Sequence, residues 1–251
     1  MGLTSWYPEA PLMRLLCFPH AGAGPSQFRS WLAAGPDSLQ ITPVALPGRE
    51  ARYKDAAPRR LDALLRDVSH HIEPLLDQPF AMIGHSMGAL LAFELARQLR
   101  RAGRRQPERL FVSAFRAPHL GGRWPPLHAL PAPLLKAELL RLDGTPAGVL
   151  VQPDLMDTLL PVLRADLEIA EHYRYQPEAP LSCPITCLGG IADERISRPE
   201  LRGWQQHTTA EFRLRLFPGG HFYLYKTPVL VQHAICADLG LSTMRPNEAI
   251  N

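Results

Sequence analysis

The chain has 251 residues, 46% of them apolar and 20% charged, with a formal net charge of +3 at pH 7. That length accommodates one large α/β domain or two small ones, and the composition is that of a globular chain rather than a disordered or fibrous one. No apolar run approaches the roughly 18 residues needed to span a membrane. The opening residues, Met1-Gly2-Leu3-Thr4-Ser5-Trp6-Tyr7-Pro8, lack the basic start and long apolar stretch of a secretory signal. Trp6 stands where myristoylation of Gly2 needs Ser or Thr. A cytoplasmic chain without membrane association is the expectation.

Residues 12–18 read as a short apolar strand, ended by the tight loop Pro19-His20-Ala21-Gly22-Ala23-Gly24. Residues 25–33 read as a short helix. Residues 41–46 read as a second strand, closed by Pro47-Gly48; Pro43 lacks an N–H for a ladder and predicts an edge or irregular strand. Leu61, Leu64, Leu65, Val68, Ile72, Leu75 and Leu76 then recur at helical spacing. A third strand is expected over residues 80–83, a helix over 87–101 stopped near Gly103, and a fourth strand over 109–115. This alternation predicts a mostly parallel sheet with helices on both faces, the α/β class.

The alternation breaks after the fourth strand. Residues 116–132 are rich in Pro and Gly, and residues 133–174 read as helical throughout. Leu134, Leu135, Leu139, Leu140 and Leu142 form one amphipathic run; Leu155, Leu159, Leu160, Leu163, Leu167 and Ile169 form another. Strands resume at 185–188 and 212–217. Such an insertion is either a lid over an active site or extra packing on the sheet edge. The stiff, proline-rich entry favours a lid, spanning about residues 125–175. With no internal repeat and no low-complexity linker, one domain over residues 1–251 is expected.

Arginines cluster at Arg100-Arg101 and Arg104-Arg105. A solvated helix end, whose cations suit the C-terminal dipole, is favoured over a docking patch for an acidic protein. No aromatic-interleaved basic stripe accompanies them, so nucleic-acid binding is not expected. Cys17, Cys183, Cys187 and Cys236 match no zinc spacing, and Cys183 and Cys187 are one residue too far apart for a redox pair; all are read as reduced thiols, mostly buried.

The chemistry centres on Gly84-His85-Ser86-Met87-Gly88. This G-x-S-x-G stretch has a strand before it and a helix after it, the context of a nucleophile elbow. An ordinary glycine-rich turn with a serine N-cap is the rival explanation. On so sharp a turn Ser86 is strained, and bulky neighbours at 84 and 88 would clash with strand and helix. A serine nucleophile needs a general base, and the base needs a partner that sets its tautomer. In chain order the acid follows Ser and His comes last, each at the C-terminal edge of the strands. Of His119, His128, His172, His207, His221 and His233, only His221 follows a strand directly through a tight turn, Pro218-Gly219-Gly220. Among Asp143, Asp154, Asp157, Asp166 and Asp193, the first four fall in the helical insertion. Asp193 follows a strand at the correct edge, with Glu194 its nearest rival. Arg116-Ala117-Pro118 offers no carboxylate after the fourth strand. Two backbone donors are expected for the oxyanion: the N–H of Met87 and, from the His20-Ala21-Gly22 loop, the N–H of Ala21. Gly22-x-Gly24 continues with Gln27 where a dinucleotide loop needs a third glycine, so that alternative is weak.

Phe18-Pro19-His20-Ala21-Gly22, Leu46-Pro47-Gly48-Arg49, Gly84-His85-Ser86-Met87-Gly88, Leu163-Arg164-Ala165-Asp166 and Gly219-Gly220-His221-Phe222 together resemble the type II thioesterases of polyketide and non-ribosomal peptide pathways, over about residues 12–237. Ala23 departs from the glycine often found there. The resemblance implies an α/β-hydrolase fold with a helical lid and a Ser86–Asp193–His221 triad. It also implies hydrolysis of acyl groups from the phosphopantetheine arm of carrier proteins, clearing misprimed or stalled units from a synthase without a metal or redox cofactor. The alternatives are a chain-terminating medium-chain fatty-acyl thioesterase or carboxylesterase, and a non-catalytic carrier-protein binding module. An intact set of triad residues counts against the last.

Overall fold

A computed structural model describes residues 13–34, 38–122, 125–142, 144, 148 and 152–241. Its centre is a six-stranded, wholly parallel sheet of order β2-β1-β3-β4-β5-β6. The strands are β1 (Met13–Phe18), β2 (Leu39–Pro43), β3 (Phe80–His85), β4 (Leu110–Ser113), β5 (Ile185–Gly190) and β6 (Phe212–Phe217). The inner strands are apolar at successive positions because both of their faces are covered. Leu16, Phe18, Phe80, Met82, Leu110 and Val112 pack into one core, whereas Leu15, Cys17, Ala81, Ile83 and Phe111 pack into the other.

Helices α2 (Leu61–Ile72) and α3 (Met87–Arg101) cover the first face. Helix α1 (Arg29–Ala34) and the late helix over Pro228–Leu239 cover the second through Phe28, Trp31, Val231 and Ile235. Between β4 and β5 stand α4 (Ala132–Leu142) and α5 (Pro153–His172), which share a small core of Leu127, Leu135 and Leu163. The expected continuous helicity of 133–174 therefore holds for these two helices; most of 143–151 lies outside the described residues. After β5 come α6 (Arg198–Arg202), then α7 (Tyr223–Lys226) and α8 (Pro228–Leu239).

The second strand differs from expectation. It covers Leu39–Pro43 rather than 41–46 and pairs only with β1, at the sheet edge that Pro43 predicts. Val44 gives one further hydrogen bond to the Cys17 carbonyl at 2.9 Å, and the chain then leaves the sheet. Val44 and Leu46 are buried all the same, so their apolarity reflects a packed loop rather than a strand. The arginine cluster is also not merely solvated. Arg100 and Arg101 both hold Glu178, at 2.6 and 2.7 Å, and Arg104 holds Glu73 at 2.8 Å. The four cysteines are free and buried.

Candidate active site

Strand β3 passes into α3 through one residue, Ser86, whose backbone sits at φ 54°, ψ −120°. A left-handed φ at a non-glycine residue costs on the order of 1–3 kcal/mol and persists only where its surroundings enforce it. The enforcement is visible. The Ser86 N–H donates to the Ser113 carbonyl at 2.8 Å, and its own carbonyl accepts the Ala89 N–H at 2.9 Å. A Cβ placed on Gly84 would lie 2.0 Å from the Gly88 carbonyl oxygen, and one on Gly88 would lie 2.2 Å from that of Phe18. No side chain fits at either position without moving backbone.

The sheet brings the other candidates to this turn. Strand β6 ends at Phe217, and the turn through Gly219 and Gly220 delivers His221 with its Nε2 3.2 Å from Ser86 Oγ. Strand β5 ends at Gly190, and the following loop delivers Asp193 with Oδ2 2.9 Å from His221 Nδ1. The second carboxylate oxygen accepts the N–H groups of Arg195 and Ile196 at 2.9 and 3.2 Å. The Asp193 side chain is 1% exposed. Burial pushes its carboxyl upward, but the hydrogen bond and charge of His221, with the two N–H groups, outweigh that and hold it below the usual carboxylate range. A carboxylate on Nδ1 requires that nitrogen to carry the proton, which leaves the Nε2 lone pair facing Ser86.

A cavity of about 600 Å³ opens over Ser86 and His221, walled on the insertion side by Leu139, Leu142, Leu163 and Leu167. Ala21 lines it as well, because the pairing of Phe18 with Gly84 sets the β1 loop beside the elbow. Met87 opens α3, so its N–H has no intrahelical acceptor. Among the described residues, neither the Met87 nor the Ala21 N–H donates to a backbone carbonyl in a loop or cap. No cluster of three or more His, Cys, Asp or Glu among the described residues could hold a metal ion.

The rival residues lie elsewhere. Glu194 points outward, its side chain 79% exposed and paired with Arg141 of α4 at 3.0 Å. Asp154 and Asp157 are exposed on α5, and Asp143 lies outside the described residues. Asp166 is buried against Arg49. His119 and His207 face each other at 2.8 Å, His128 meets Glu171, His172 lines the cavity from the end of α5 without a hydrogen bond to Ser86, and His233 is exposed on α8.

Two further histidines border the site, and sequence reasoning assigned them nothing. His85 is fully buried; its Nδ1 meets Ser113 Oγ at 2.9 Å, which in turn meets Tyr223 Oη at 2.7 Å. Its ring centre lies 5.4 Å from that of His221. His20 donates from Nδ1 to the Ala21 carbonyl at 3.1 Å. Burial, followed by the charges of His221 and Arg49, pushes the His20 imidazole down to about 3. Burial, followed by the charges of His221 and His20, holds His85 well below its ordinary value. Both are thus neutral in the folded chain. Their one sequence signal is position: each immediately precedes a candidate, Ala21 or Ser86.

The thioesterase domain family matches residues 13–237. The gramicidin S biosynthesis protein GrsT of Aneurinibacillus migulanus is 38% identical over 244 residues, covering 95% of each chain. The RedJ thioesterase of the prodiginine biosynthetic pathway in Streptomyces coelicolor superposes with a TM-score of 0.84 at 38% identity, covering 93% of this chain and 91% of that one. BorB, the type II thioesterase from the borrelidin biosynthetic cluster, superposes with a TM-score of 0.83 at 37% identity over 92% of this chain and 93% of its own. An elbow serine at the C-terminal edge of a parallel sheet, joined to matches of this extent, makes the chain a member of the thioesterase domain family.

Proposed function

We propose that this thioesterase releases acyl groups from the phosphopantetheine arm of carrier proteins, clearing aberrant or stalled units from a polyketide or non-ribosomal peptide synthase in the cytoplasm. The observation that carries the chemistry is the unbroken hydrogen-bond chain Asp193–His221–Ser86, at 2.9 and 3.2 Å, at the floor of a chamber walled on one side by leucines. His221 takes the Ser86 proton as Oγ attacks the thioester carbonyl. The Met87 and Ala21 N–H groups receive the developing oxyanion. The protonated His221 passes its proton to the departing thiolate; water activated by the same imidazole then frees the acid from Ser86. Asp193 holds the imidazole in the required tautomer. Helices α4 and α5 act as the lid, and the leucines they turn inward take the acyl chain.

The synthase assignment is supported by the biosynthetic relatives described above. It is tested by incubating a panel of acyl-loaded carrier proteins with the enzyme and reading unloading by mass spectrometry, beside acyl-CoA and p-nitrophenyl esters. Preference for acyl groups carried on synthase carrier proteins is expected. Preference for medium-chain fatty acyl groups, or for simple esters, refutes it. Ser86→Ala is expected to lower kcat by about 10⁴ or more; near-normal turnover removes the serine mechanism.

A further inference from the structure

After His20 the loop that carries Ala21 is made only of Ala and Gly, through Gly24, and has almost no side chain with which to pack. Its peptide planes are instead pinned by its own His20 and by polar groups from two distant places, the Arg49–Glu50 turn and helix α5. The Ala21–Gly22 peptide is held at both ends: its carbonyl accepts from His20 Nδ1 at 3.1 Å, and its N–H donates to Asp166 Oδ2 at 2.7 Å. Asp166 stands on α5 and is itself clamped by Arg49, whose Nη1 meets Oδ2 and whose Nη2 meets Oδ1 at 3.0 Å. The same guanidinium reaches the Ala23 carbonyl at 3.3 Å, while its Nε holds the Pro47 carbonyl at 3.1 Å. Next to it Glu50, at φ 46°, accepts from the Ser26 N–H at 3.2 Å and from its hydroxyl at 2.6 Å. Gly22 sits at φ 77°, and a Cβ there would lie 3.0 Å from Leu163 Cδ1, one turn before Asp166 on the same face of α5.

A buried ion pair is poor evidence for stability, because desolvation offsets most of its attraction. The Arg49 and Asp166 side chains are 4% and 1% exposed. Groups of the loop on either side of the Ala21 N–H are engaged, yet that N–H itself is left to the chamber. We infer that Arg49 and Asp166 are positioning residues that hold the His20–Ala23 loop so that the Ala21 N–H faces the oxyanion above Ser86, that Glu50 braces the same segment one step further on at Ser26, and that through Asp166 the placement of α5 sets that donor. This rests on the serine thioesterase reading proposed above. Its signature is an effect on the transition state rather than on substrate binding.

The test compares wild type, Asp166→Ala and the double variant Arg49→Met/Asp166→Leu in the full chain. It follows thermal unfolding, kcat and KM for an acyl-carrier substrate, and the rate at which a fluorophosphonate labels Ser86. Asp166→Ala leaves Arg49 buried and unpaired, so it loses thermal stability; the apolar double variant regains it. In both variants kcat and the labelling rate are expected to fall by about 30- to 300-fold, approaching the roughly 10²–10³-fold cost of losing one oxyanion donor outright. KM is expected to stay within about three-fold, the pattern of an interaction made only in the transition state. A stable double variant with near wild-type kcat overturns the inference, as does activity that returns in step with stability. If neither variant folds, Glu50→Gln, at the exposed end of the brace, decides by the same split. A lowered kcat at constant KM supports the inference, and an unchanged kcat overturns it. A parallel Ser86→Ala control separates the two levels. Turnover by that control removes the serine reading itself, whereas an inactive control beside a fully active double variant removes only the brace.

Discussion

Replacing Asp193 by Asn tests the base and its tautomer together, and the geometry fixes the direction. One oxygen of Asp193 accepts two backbone N–H groups, from Arg195 and Ile196, while the other faces His221 Nδ1 at 2.9 Å. An asparagine amide has one oxygen and one NH₂. The two backbone donors claim the oxygen, so the NH₂ is turned toward His221. Nδ1 must then accept, the imidazole proton moves to Nε2, and Ser86 faces a donor in place of a base. The same tautomer error in a serine protease costs about 10⁴ in kcat, which is about 5.5 kcal/mol of barrier. Both backbone N–H bonds survive, so thermal stability is expected to change little. Steady-state hydrolysis of an acyl-carrier substrate, with Glu194→Gln beside it, makes the assay. Glu194 is exposed and bound to Arg141, and exposed pairs contribute about 0–1 kcal/mol, so that variant is expected to remain within about two-fold of wild type. Asp193→Asn turnover within ten-fold of wild type, or a severe loss in Glu194→Gln, refutes the reasoning.

Gly88→Ala places a Cβ 2.2 Å from the Phe18 carbonyl, which forces strand and helix apart. Overpacking of this kind costs about 3 kcal/mol, a fall in Tm of roughly 6 °C or more for a chain of this size, and an unchanged Tm contradicts the clash. Acid is expected to destabilise the fold well before the carboxylates titrate. His20 and His85 are neutral when folded, with folded values below the ordinary 6.5, so between the two values the unfolded chain binds more protons and stability falls as pH falls. At pH 5 His20 contributes a loss of about 2 kcal/mol relative to neutral pH, and His85 adds to it in the same direction. Chemical denaturation between pH 7 and 4.5 checks this; a flat profile refutes it, and His20→Asn is expected to reduce the slope. Burial pushes the thiols of Cys17, Cys183 and Cys187 upward, that of Cys183 to about 11, so alkylation at pH 8 is expected only after unfolding. Rapid labelling of the native chain, read by mass spectrometry, refutes that.

The parts of the fold that were legible are those whose signal is local. Phe80–Ile83 and the helix from Met87 flank two glycines that tolerate no side chain, so strand, turn and helix announce themselves within twenty residues. His221 stood apart from His207 because one follows a strand through a glycine turn and the other precedes one. The second strand was misplaced because Val44 and Leu46 are buried in a loop, and apolarity does not distinguish a packed loop from a paired strand. Partners far apart in the chain were invisible. Arg100 and Arg101 looked like a helix end because Glu178 is more than seventy residues away. Asp166 could be set aside as a helical carboxylate, but its pairing with Arg49 across 117 positions could not be read.

The strand order also has a meaning in time. The strained serine is made early, just after a strand inside the sheet, whereas its proposed base follows β6, the last strand among the described residues and an edge of the sheet they form. A chain still emerging from the ribosome therefore carries an elbow with no imidazole to arm it until residue 221 is out and β6 has docked on β5. Vectorial synthesis thus delivers the serine well before its proposed base, and the Asp193–His221–Ser86 hydrogen-bond chain exists only once β6 lies against β5 in register.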